Sequence, residues 1–332
     1  MKFKCLGIEC TAHTFGASVV EEKGNILSEV RDMYTTEKGG IIPIDAAKHH
    51  KEVRDKIINQ ALKDAKLTIK GINLIAISKG PGLAPCLLSG MEIAKQLSKE
   101  NNIPITGINH LCAHLEIGKL FTKAKDPVFV FVSGANTQII AYEGKKYRVF
   151  GETLSIGLGN ALDKFAREAG LGFPGGPKIE QLAKNGKYIK LPYTVKGMDV
   201  EFSGIITEAI KKLKQGNKIE DLCFSLQETF FAMMTEVTER AMAHCDKKEA
   251  LLIGGVAANK KFIEMLGIMC KERKAKFYFV PIKYSGDNAA MIAWNGILNY
   301  KANKINEINT IDINPRWRID ELSPNWINHI HD

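Results

Sequence analysis

The order of the predicted secondary-structure elements is the feature that most restricts how this chain can fold. Three apolar strands at 4–9, 16–20 and 26–31 are joined by short turns and are followed by helices that alternate with strands. The same order begins again at residue 128, so the pattern βββαβαβα occurs twice. Two copies of a hairpin-linked sheet with helices on it predict an α/β protein with two lobes.

The individual elements are predicted from apolar periodicity and from the turn residues between them. In the first copy, helices are expected at 45–67 and 83–98 and directly after the strand at 103–108, with another strand at 73–78. In the second copy, strands are expected at 128–133, 137–142, 147–153, 250–253 and 277–280, and helices at 258–273 and 287–300.

These positions predict the extent of the two lobes. The first is expected to cover residues 1–124 and the second residues 125–294, with a helical insertion at about 160–246. The segment 295–332 is expected to pack back on the first lobe, and its polar part after Asn303 is expected to be only loosely packed. The arrangement resembles the actin, sugar-kinase and heat-shock chaperone superfamily (the ASKHA, RNase H-like fold), in which a nucleotide cleft lies between two lobes.

Composition excludes several classes of protein. Apolar residues make up 45% of the 332 residues and no apolar run reaches the length of a membrane span, so a soluble chain is predicted. Seven cysteines without a CxxC pair, together with an N-terminus that does not resemble a signal peptide, predict reduced thiols and a cytoplasmic location. The net charge of +9 permits a nucleic-acid partner, although lysine-rich solvated helix faces would account for it nearly as well.

The pair His110 and His114 is the strongest chemical signal. Histidines at i and i+4 share one face of a helix and can bind a single metal ion. Leu111 stands where an HExxH peptidase has its general-base glutamate, which disfavours peptide hydrolysis. Asp287, after Gly286, is either a helix N-cap or a distant carboxylate that completes the metal site.

Two glycine-containing turns are candidates for nucleotide binding. The turn at 133–137 has small residues that let backbone amides approach a phosphate, and the glycines at 254–255 would let a purine lie against the backbone. Asn259 either contacts the nucleotide or caps the following helix. Asp163 and Glu180 either hold ribose hydroxyls or are solvated helix residues. The GxGxxG match at 170–175 follows a helix, so a Rossmann site is excluded.

Taken together, the motifs resemble one family, the tRNA threonylcarbamoyladenosine synthases of the TsaD type, whose archaeal and eukaryotic members act in the KEOPS complex. The resemblance covers most of the chain and has an archaeal character. The segments that carry it are TTEKGGIIP (35–43), SKGPG (78–82), INHLCAH (108–114), FVSGANTQ (131–138), GLGFPGGPKIE (170–180), EFSGIITEAI (201–210), LIGGVAANK (252–260) and GDNAAMIAW (286–294).

The resemblance implies a reaction. Threonylcarbamoyl-adenylate would bind in the cleft, and its threonylcarbamoyl group would move to the exocyclic amine of the adenosine 3′ to the anticodon in tRNAs that read codons beginning with A. AMP would leave, which makes the chain an acyltransferase. The implied partners are tRNA and the KEOPS-type subunits, namely a small kinase-like ATPase, a dimerising subunit and an accessory subunit.

The resemblance also implies the site residues. One divalent metal ion, iron or zinc, would be bound by His110, His114 and Asp287. An adenine nucleotide would be bound by Phe131, Val132, Ser133, Gly134, Ala135, Asp163, Gly176, Glu180 and Asn259.

Four departures from the family pattern bear on these roles. Phe131 replaces a common tyrosine whose phenol oxygen can reach the metal, and Ala135 replaces a glycine beside the expected phosphate. Ser155 replaces a common aspartate, and Ser285-Gly286 precedes Asp287 where other residues are usual. Two alternatives therefore stand beside the transferase: a metallopeptidase that acts on glycoproteins, and a nucleotide-gated binding subunit without catalysis.

Overall fold

The structure is a computed structural model that describes residues 2–36 and 40–329. The chain divides into two compact units, unit 1 formed by Met1–Leu120 with Asp287–Asp332 and unit 2 formed by Phe121–Gly286. Residues 37–39, which belong to one of the motifs that carry the family resemblance, lie outside the described residues.

Unit 1 is built on a five-stranded sheet. Its elements before the chain enters unit 2 are β1 (Lys4–Glu9), β2 (Thr14–Glu21), β3 (Ile26–Met33), α1 (Pro43–Asp64), β4 (Leu74–Gly80), α2 (Ala84–Asn101), β5 (Ile105–Asn109) and α3 (His110–Thr122). The strand order is β3-β2-β1-β4-β5. Strands β3, β2 and β1 are antiparallel, whereas β1, β4 and β5 are parallel.

Unit 2 contains a second five-stranded sheet and most of the helices. Its elements are β6 (Val128–Val132), β7 (Thr137–Glu143), β8 (Lys146–Glu152), α4 (Leu158–Glu168), α5 (Gly175–Ala183), β9 (Val195–Lys196), β10 (Asp199–Val200), α6 (Ser203–Lys214), α7 (Ile219–His244), β11 (Glu249–Ile253), α8 (Lys260–Glu272), β12 (Lys276–Phe279) and α9 (Ile282–Ser285). The sheet order is β12-β11-β6-β7-β8, and β9 and β10 form a separate two-stranded sheet.

The two sheets have the same topology. In unit 2 the strands β8, β7 and β6 are antiparallel and β6, β11 and β12 are parallel, which repeats the arrangement of unit 1. The duplicated α/β fold expected from the element order is confirmed. The shared topology arises because hairpins make antiparallel neighbours, whereas strands joined through a helix become parallel.

Helix α10 (Ala289–Lys301) returns the chain to unit 1, where it packs against β1, β2 and β4. The sequence pattern counted this helix with the second copy. The reason for its place is local: Leu6 and Ile8 point into the core beneath α1 and α2, so Gly7 between them faces the other side of the sheet. A Cβ on Gly7 would lie 2.3 Å from the carbonyl oxygen of Ala289, which explains how α10 approaches β1 so closely.

The C-terminal segment corrects one expectation, because it is not loosely packed. Ile311, Ile319 and Trp326 are each less than 5% exposed, and Asn306 forms a β-bridge with Ile105 of the unit 1 sheet. Its apolar residues follow neither a helical nor a strand period, so periodicity could not reveal their burial. Short 3₁₀ turns are also present among the described residues, at Ile69–Gly71, Gly255–Ala258, Ile319–Glu321 and Asn325–His329.

Two findings bear on solvent and redox environment. Within residues 2–36 and 40–329, no helix combines the length and the apolar character that a membrane crossing requires. All seven cysteines are free, and six of them are buried.

Candidate functional site

The two histidines lie at the start of α3, which begins directly after β5. Asn109 ends the strand and its Oδ1 accepts a hydrogen bond from the backbone N–H of Cys112 at 3.0 Å, so it caps the helix. His110 and His114 therefore occupy the first turns of α3, on the same face, with their Nε2 atoms 3.2 Å apart. Both rings are largely shielded from solvent.

Asp287 meets the two histidines at the point where the chain re-enters unit 1. Its Oδ1 lies 3.3 Å from Nε2 of His114 and 3.4 Å from Nε2 of His110. The three residues offer ligand atoms that all lie within 4.8 Å of one another. Residues separated by 173 positions in sequence are thus brought together by the packing of α10.

The spacing of these three atoms fits a bound metal ion. Metal–ligand bonds of about 2.0–2.1 Å place neighbouring ligand atoms of a tetrahedral site about 3.3 Å apart, and those of an octahedral site about 3.0 Å apart. The observed sides of 3.2, 3.3 and 3.4 Å are closer to the tetrahedral value. Two imidazoles and one carboxylate are ligands for zinc and for ferrous iron alike, and three protein ligands leave a position for a substrate oxygen.

Glu9, at the end of β1, holds His110 in the orientation that this site requires. Its fully buried carboxylate accepts a hydrogen bond from Nδ1 of His110 at 3.0 Å. The same carboxylate accepts hydrogen bonds from the backbone N–H and the hydroxyl of Thr11. Because Nδ1–H donates to Glu9, Nε2 of His110 is left without a proton when the ring is neutral and points toward Asp287 and His114.

The charges around the histidines favour a cation. Burial lowers the pKa of His110, but the carboxylates of Glu9 and Asp287 outweigh it and raise this pKa to about 10. Burial also raises the pKa of Asp287, yet the adjacent His110 and His114 hold it well below its usual range. The buried carboxylate of Glu9 and the partly buried carboxylate of Asp287 would be balanced by one divalent ion, whereas without metal a proton on His110 compensates their charge only in part.

Two residues of β3 hold the segment that carries Asp287. Arg31 donates from Nη1 to the backbone carbonyl of Asp287 at 2.8 Å. The carboxylate of Glu29 accepts hydrogen bonds from the backbone N–H groups of Ala289 at 3.2 Å and Ala290 at 2.8 Å, so it satisfies the free N–H groups at the start of α10. These contacts fix the backbone on both sides of Asn288 without using the carboxylate of Asp287.

Replacement of Glu29 by glutamine is expected to change how stability depends on pH. Burial raises the pKa of Glu29 from 4.5 to about 7, so the native chain binds this proton more tightly than the unfolded chain does. The free energy of unfolding of the wild-type chain should therefore fall as the pH rises from 4.5 to above 7. In Glu29→Gln it should fall less over the same range. Urea unfolding of the metal-free proteins at pH 5 and pH 8 measures this, with Glu52→Gln on the exposed face of α1 as control. Equal losses in Glu29→Gln and wild type would contradict the expectation.

Sequence reasoning did not single out Glu9, Glu29 and Arg31. A usable signal was present for Glu9, since it is a carboxylate that directly follows the uncharged run Cys5–Ile8 of the same strand. Glu29 and Arg31 gave none, because alternating charges on a half-exposed strand are ordinary. His13, in the turn after β1, also comes near the site, with its Nδ1 4.0 Å from Oδ2 of Asp287.

The expected nucleotide-binding loop of unit 2 follows β6. Ser133 closes the turn, since its N–H donates to the carbonyl of Asn136 at 2.8 Å and its hydroxyl accepts from the N–H of Asn136 at 3.1 Å. The start of α4 rests on this turn, because the N–H of Asn160 donates to the carbonyl of Gly134 at 2.9 Å. A Cβ on Gly159 would lie 2.8 Å from the carbonyl oxygen of Ser133, so this contact requires glycine.

The other predicted nucleotide residues of unit 2 join this loop through a chain of contacts. On α4, Asp163 accepts a hydrogen bond from the N–H of Gly175 at 2.7 Å, at the start of α5. On α5, Glu180 accepts from the N–H of Lys260 at 2.9 Å, at the start of α8. Asp163 is partly buried, and burial raises its pKa. The sequence left Asp163 and Glu180 as either ribose ligands or solvated residues. In the structure each of them accepts a hydrogen bond from a backbone N–H at the start of a helix.

Asn259 caps α8, as its simpler interpretation predicted. Its Oδ1 accepts from the backbone N–H groups of Lys261 and Phe262 at 3.0 and 3.3 Å, and its Nδ2 donates to Oε1 of Gln227 at 2.9 Å. Asn259→Ala is expected to lower the free energy of unfolding by about 1–3 kcal/mol, because the cap and a buried amide partner are lost together. Chemical denaturation measures this, and Asn185→Ala, at an exposed position after α5, is the control. A loss below about 0.5 kcal/mol would contradict the capping role.

Phe131, Gly176 and Ala135 are placed differently from one another. Phe131 is 1% exposed within β6, between Ile253 of β11 and Gln138 of β7, and its ring has no oxygen to offer a metal. A Cβ on Gly176 would meet no heavy atom of the described residues within 4 Å, so there is room beside it. Ala135 is exposed at the tip of the loop.

Solved structures identify the class of fold. The chain resembles T. kodakarensis HypF, with a TM-score of 0.61 over 91% of this chain and 48% of that one, at 13% sequence identity. It also resembles component A of the (R)-2-hydroxyglutaryl-CoA dehydratase of Acidaminococcus fermentans, with a TM-score of 0.55 over 91% of this chain and the whole of that one, at 13% identity. Both are proteins of the actin-like ASKHA fold, and so is this chain.

Sequence comparison identifies the family. The family model for TsaD, tRNA N6-adenosine threonylcarbamoyltransferase, matches residues 25–294. The chain is 53% identical over 323 residues to the tRNA N6-adenosine threonylcarbamoyltransferase of Thermococcus sibiricus, covering 97% of this chain and 99% of the relative. It is 49% identical to a probable bifunctional tRNA threonylcarbamoyladenosine biosynthesis protein of Methanocaldococcus jannaschii, of which it spans 61%. The chain belongs to the TsaD family of transferases.

Proposed function

We propose that this chain transfers the threonylcarbamoyl group of threonylcarbamoyl-adenylate to the exocyclic amine of the adenosine 3′ to the anticodon, in tRNAs that read codons beginning with A. The carbonyl carbon forms a bond to the amine nitrogen, its bond to the phosphate oxygen breaks, one amine proton is lost and AMP leaves. The observation that carries this proposal is 53% identity, over nearly all of both chains, to a relative named for this transfer.

We assign the metal site of this reaction to His110, His114 and Asp287. The support is the triangle of ligand atoms with sides of 3.2–3.4 Å, together with the carboxylates of Glu9, which is buried, and Asp287, which is partly buried, whose charge a divalent ion would balance. An iron or zinc ion bound there would supply a Lewis acid for the phosphate or carbonyl oxygen of the adenylate. The substrate is a mixed anhydride and already activated, so the chain needs no nucleophile of its own.

The protein residues around this site have positioning roles. Glu9 holds the His110 ring so that its Nε2 faces the other ligands. Arg31 and Glu29 fix the backbone that presents Asp287. Ligands that are already in position need not be ordered when metal and substrate bind. These contacts therefore contribute to the reaction rate as well as to metal affinity.

The adenine nucleotide is assigned to unit 2, where Phe131 to Ala135, Asp163, Gly176, Glu180 and Asn259 form one continuous series of contacts. The glycine turn at 133–134 presents backbone to a phosphate, and the space beside Gly176 and Gly255 accepts a flat base. Asp163 and Glu180 each use one carboxylate oxygen on a helix start, which leaves a second oxygen for ribose hydroxyls.

The proposed reaction takes place in the cytoplasm with tRNA and with subunits of the KEOPS type, including a small kinase-like ATPase. The relatives named bifunctional are longer than this chain, which spans about three-fifths of them.

A reconstituted reaction tests the proposal. The chain, the partner subunits, the adenylate-forming enzyme, ATP, threonine, bicarbonate and unmodified tRNA should give threonylcarbamoyladenosine, detected by mass spectrometry of the nucleosides. A tRNA with guanosine at the target position is the control and should give none. No product, in an assay where the Thermococcus sibiricus relative gives product, would refute the transferase and favour a binding subunit without catalysis.

A further inference from the structure

The positive charge of the chain is concentrated in unit 2. Residues 121–286 contain 26 lysines and arginines against 18 acidic residues, whereas unit 1 contains 20 against 19. The net charges are therefore +8 and +1. Within unit 2, the segment 184–218 alone has eight lysines and three acids, a net charge of +5. Charge scattered only for solubility would be spread over both units.

Six exposed lysines of this segment, which we call the lysine surface, come from two stretches that meet at the start of α7. They are Lys184, Lys187, Lys190, Lys211, Lys214 and Lys218. The N–H of Lys187 donates to Oδ1 of Asp221 at 2.7 Å, and that of Ile189 to Oγ of Ser225 at 2.6 Å, so residues 187–189 run along the first turns of α7. Lys218 is the N-cap residue of the same helix.

The backbone of the lysine surface is firmly held although its side chains are exposed. A Cβ on Gly186 would lie 2.1 Å from the carbonyl oxygen of Glu220, so this stretch is packed directly onto α7. Leu191, which follows it, is 4% exposed. Among the described residues, no carboxylate lies within ion-pair distance of Lys184, Lys187 or Lys190. A rigid backbone with unpaired cations costs little entropy when it binds a polyanion.

An aromatic side chain lies within the lysine surface. Tyr188 is 57% exposed between Lys187 and Lys190. Tyr193, 50% exposed, is instead engaged with Glu236 through its hydroxyl. Unpaired lysines beside an exposed ring suit single-stranded or loop RNA, since the lysines attract phosphates and the ring can stack on a base. An acidic protein would match the lysines but would leave Tyr188 without a role.

We propose that the lysine surface, with Tyr188, is where unit 2 binds the tRNA. This inference rests on the proposed function, because it takes tRNA as the partner. The lysines neutralise backbone phosphates and position the tRNA without reading its sequence, and Tyr188 stacks on an unpaired base. The surface therefore sets affinity and salt dependence, whereas selection of the target adenosine occurs elsewhere.

Binding of fluorescent tRNA to the full chain at several salt concentrations tests the surface. The triple variant K184Q/K187Q/K190Q is expected to raise Kd roughly 10-fold near 0.15 M salt. It should also reduce the magnitude of the slope of log K against log salt by about 2–3, because each lost phosphate contact lowers that magnitude by about 0.7–0.9. Tyr188→Ala should raise Kd by about 5-fold or more, whereas Tyr188→Phe should bind like wild type because it keeps the stacking ring.

The matched control is K271Q/K274Q/K276Q, which removes the same charge from exposed lysines of unit 2 that do not belong to the lysine surface. It is expected to bind tRNA within about 2-fold of wild type, since diffuse charge contributes little at this ionic strength. Equal weakening in both triple variants would overturn the proposal, because net charge alone would then account for binding. Unchanged binding by K184Q/K187Q/K190Q would also overturn it.

The reconstituted transfer reaction separates this inference from the proposed function. If the lysine surface binds tRNA, K184Q/K187Q/K190Q should raise KM for tRNA about 10-fold. Its kcat should stay near the wild-type value, because these lysines are not among the residues assigned to the metal or to the nucleotide. If wild type forms product and the variant has an unchanged KM, the lysine surface is refuted and the transferase stands. If wild type forms no product beside an active relative, the proposed function itself fails.

Discussion

Replacement of His110 by alanine is expected to abolish tight metal binding and to lower the rate of threonylcarbamoyl transfer by about 1,000-fold or more, because several kcal/mol of transition-state stabilisation depend on the bound ion. Only His114 and Asp287 would remain as ligands. Metal content after dialysis and single-turnover product formation measure the two effects. His244→Ala, an exposed histidine at the end of α7, is the control and should match wild type.

The alanine variant also leaves the buried carboxylate of Glu9 without its imidazole partner, which can unfold the chain. The variant His110→Asn separates the loss of metal from unfolding. Its amide retains a hydrogen-bond donor near the former Nδ1 position but offers no imidazole nitrogen to a metal. Both variants should lose metal and activity, and the asparagine variant should keep more of the wild-type stability. Full transfer activity in a folded, metal-free variant would refute a role for the metal in the reaction.

Replacement of Glu9 by glutamine is expected to weaken metal binding by about 10- to 100-fold, although Glu9 is not among the proposed ligands. The carboxylate accepts from Nδ1 of His110 through one oxygen and from Thr11 through the other. A glutamine amide cannot accept on both sides, so one donor loses its acceptor and the His110 ring is free to turn. Competition with a chromophoric chelator measures the affinity, and the visible spectrum of the cobalt(II) form reports the ligand geometry.

Glu116→Gln is a closely matched control for this experiment. Glu116 is also a buried carboxylate, and it lies on α3 itself, where its Oε1 accepts from Nε1 of Trp326 at 3.0 Å and its Oε2 lies 3.5 Å from Nζ of Lys119. Its replacement should lower stability without changing metal affinity or the cobalt(II) spectrum. A Glu9→Gln variant with wild-type affinity and spectrum would mean that His110 is oriented by the fold of α3 alone.

Much of the fold could be predicted because its signals are local. Strands β1 to β3 and β6 to β8 are separated by turn residues, and their apolar patterns have clear bounds. The predicted helices at 83–98 and 258–273 agree with α2 and α8 to within three residues at each end. The i, i+4 spacing of His110 and His114 likewise needs only the local geometry of one helix.

The sites were harder to predict because their parts come from distant segments. Glu9 and His110 are 101 residues apart, and no periodicity indicates that the ends of β1 and β5 lie at the same edge of a sheet. The sequence around Asn259 is compatible both with a helix cap and with a nucleotide ligand. Only the contacts of Asn259 with Lys261, Phe262 and Gln227 show that the cap is formed. The burial of the C-terminal segment depended on individual side chains such as Trp326.

The sequence by itself determined the duplicated element order, the helix that carries both histidines and the family, since these depend on local periodicity and on residues at fixed spacing. Two features were decided by the tertiary structure alone. Helix α10 covers the unit 1 sheet, which places Asp287 beside the histidines of α3, and Glu9 accepts a hydrogen bond from His110. The physical reason is that a helical pattern states which face of a helix is apolar but not which sheet that face will cover. Here that choice depends on the close approach permitted at Gly7.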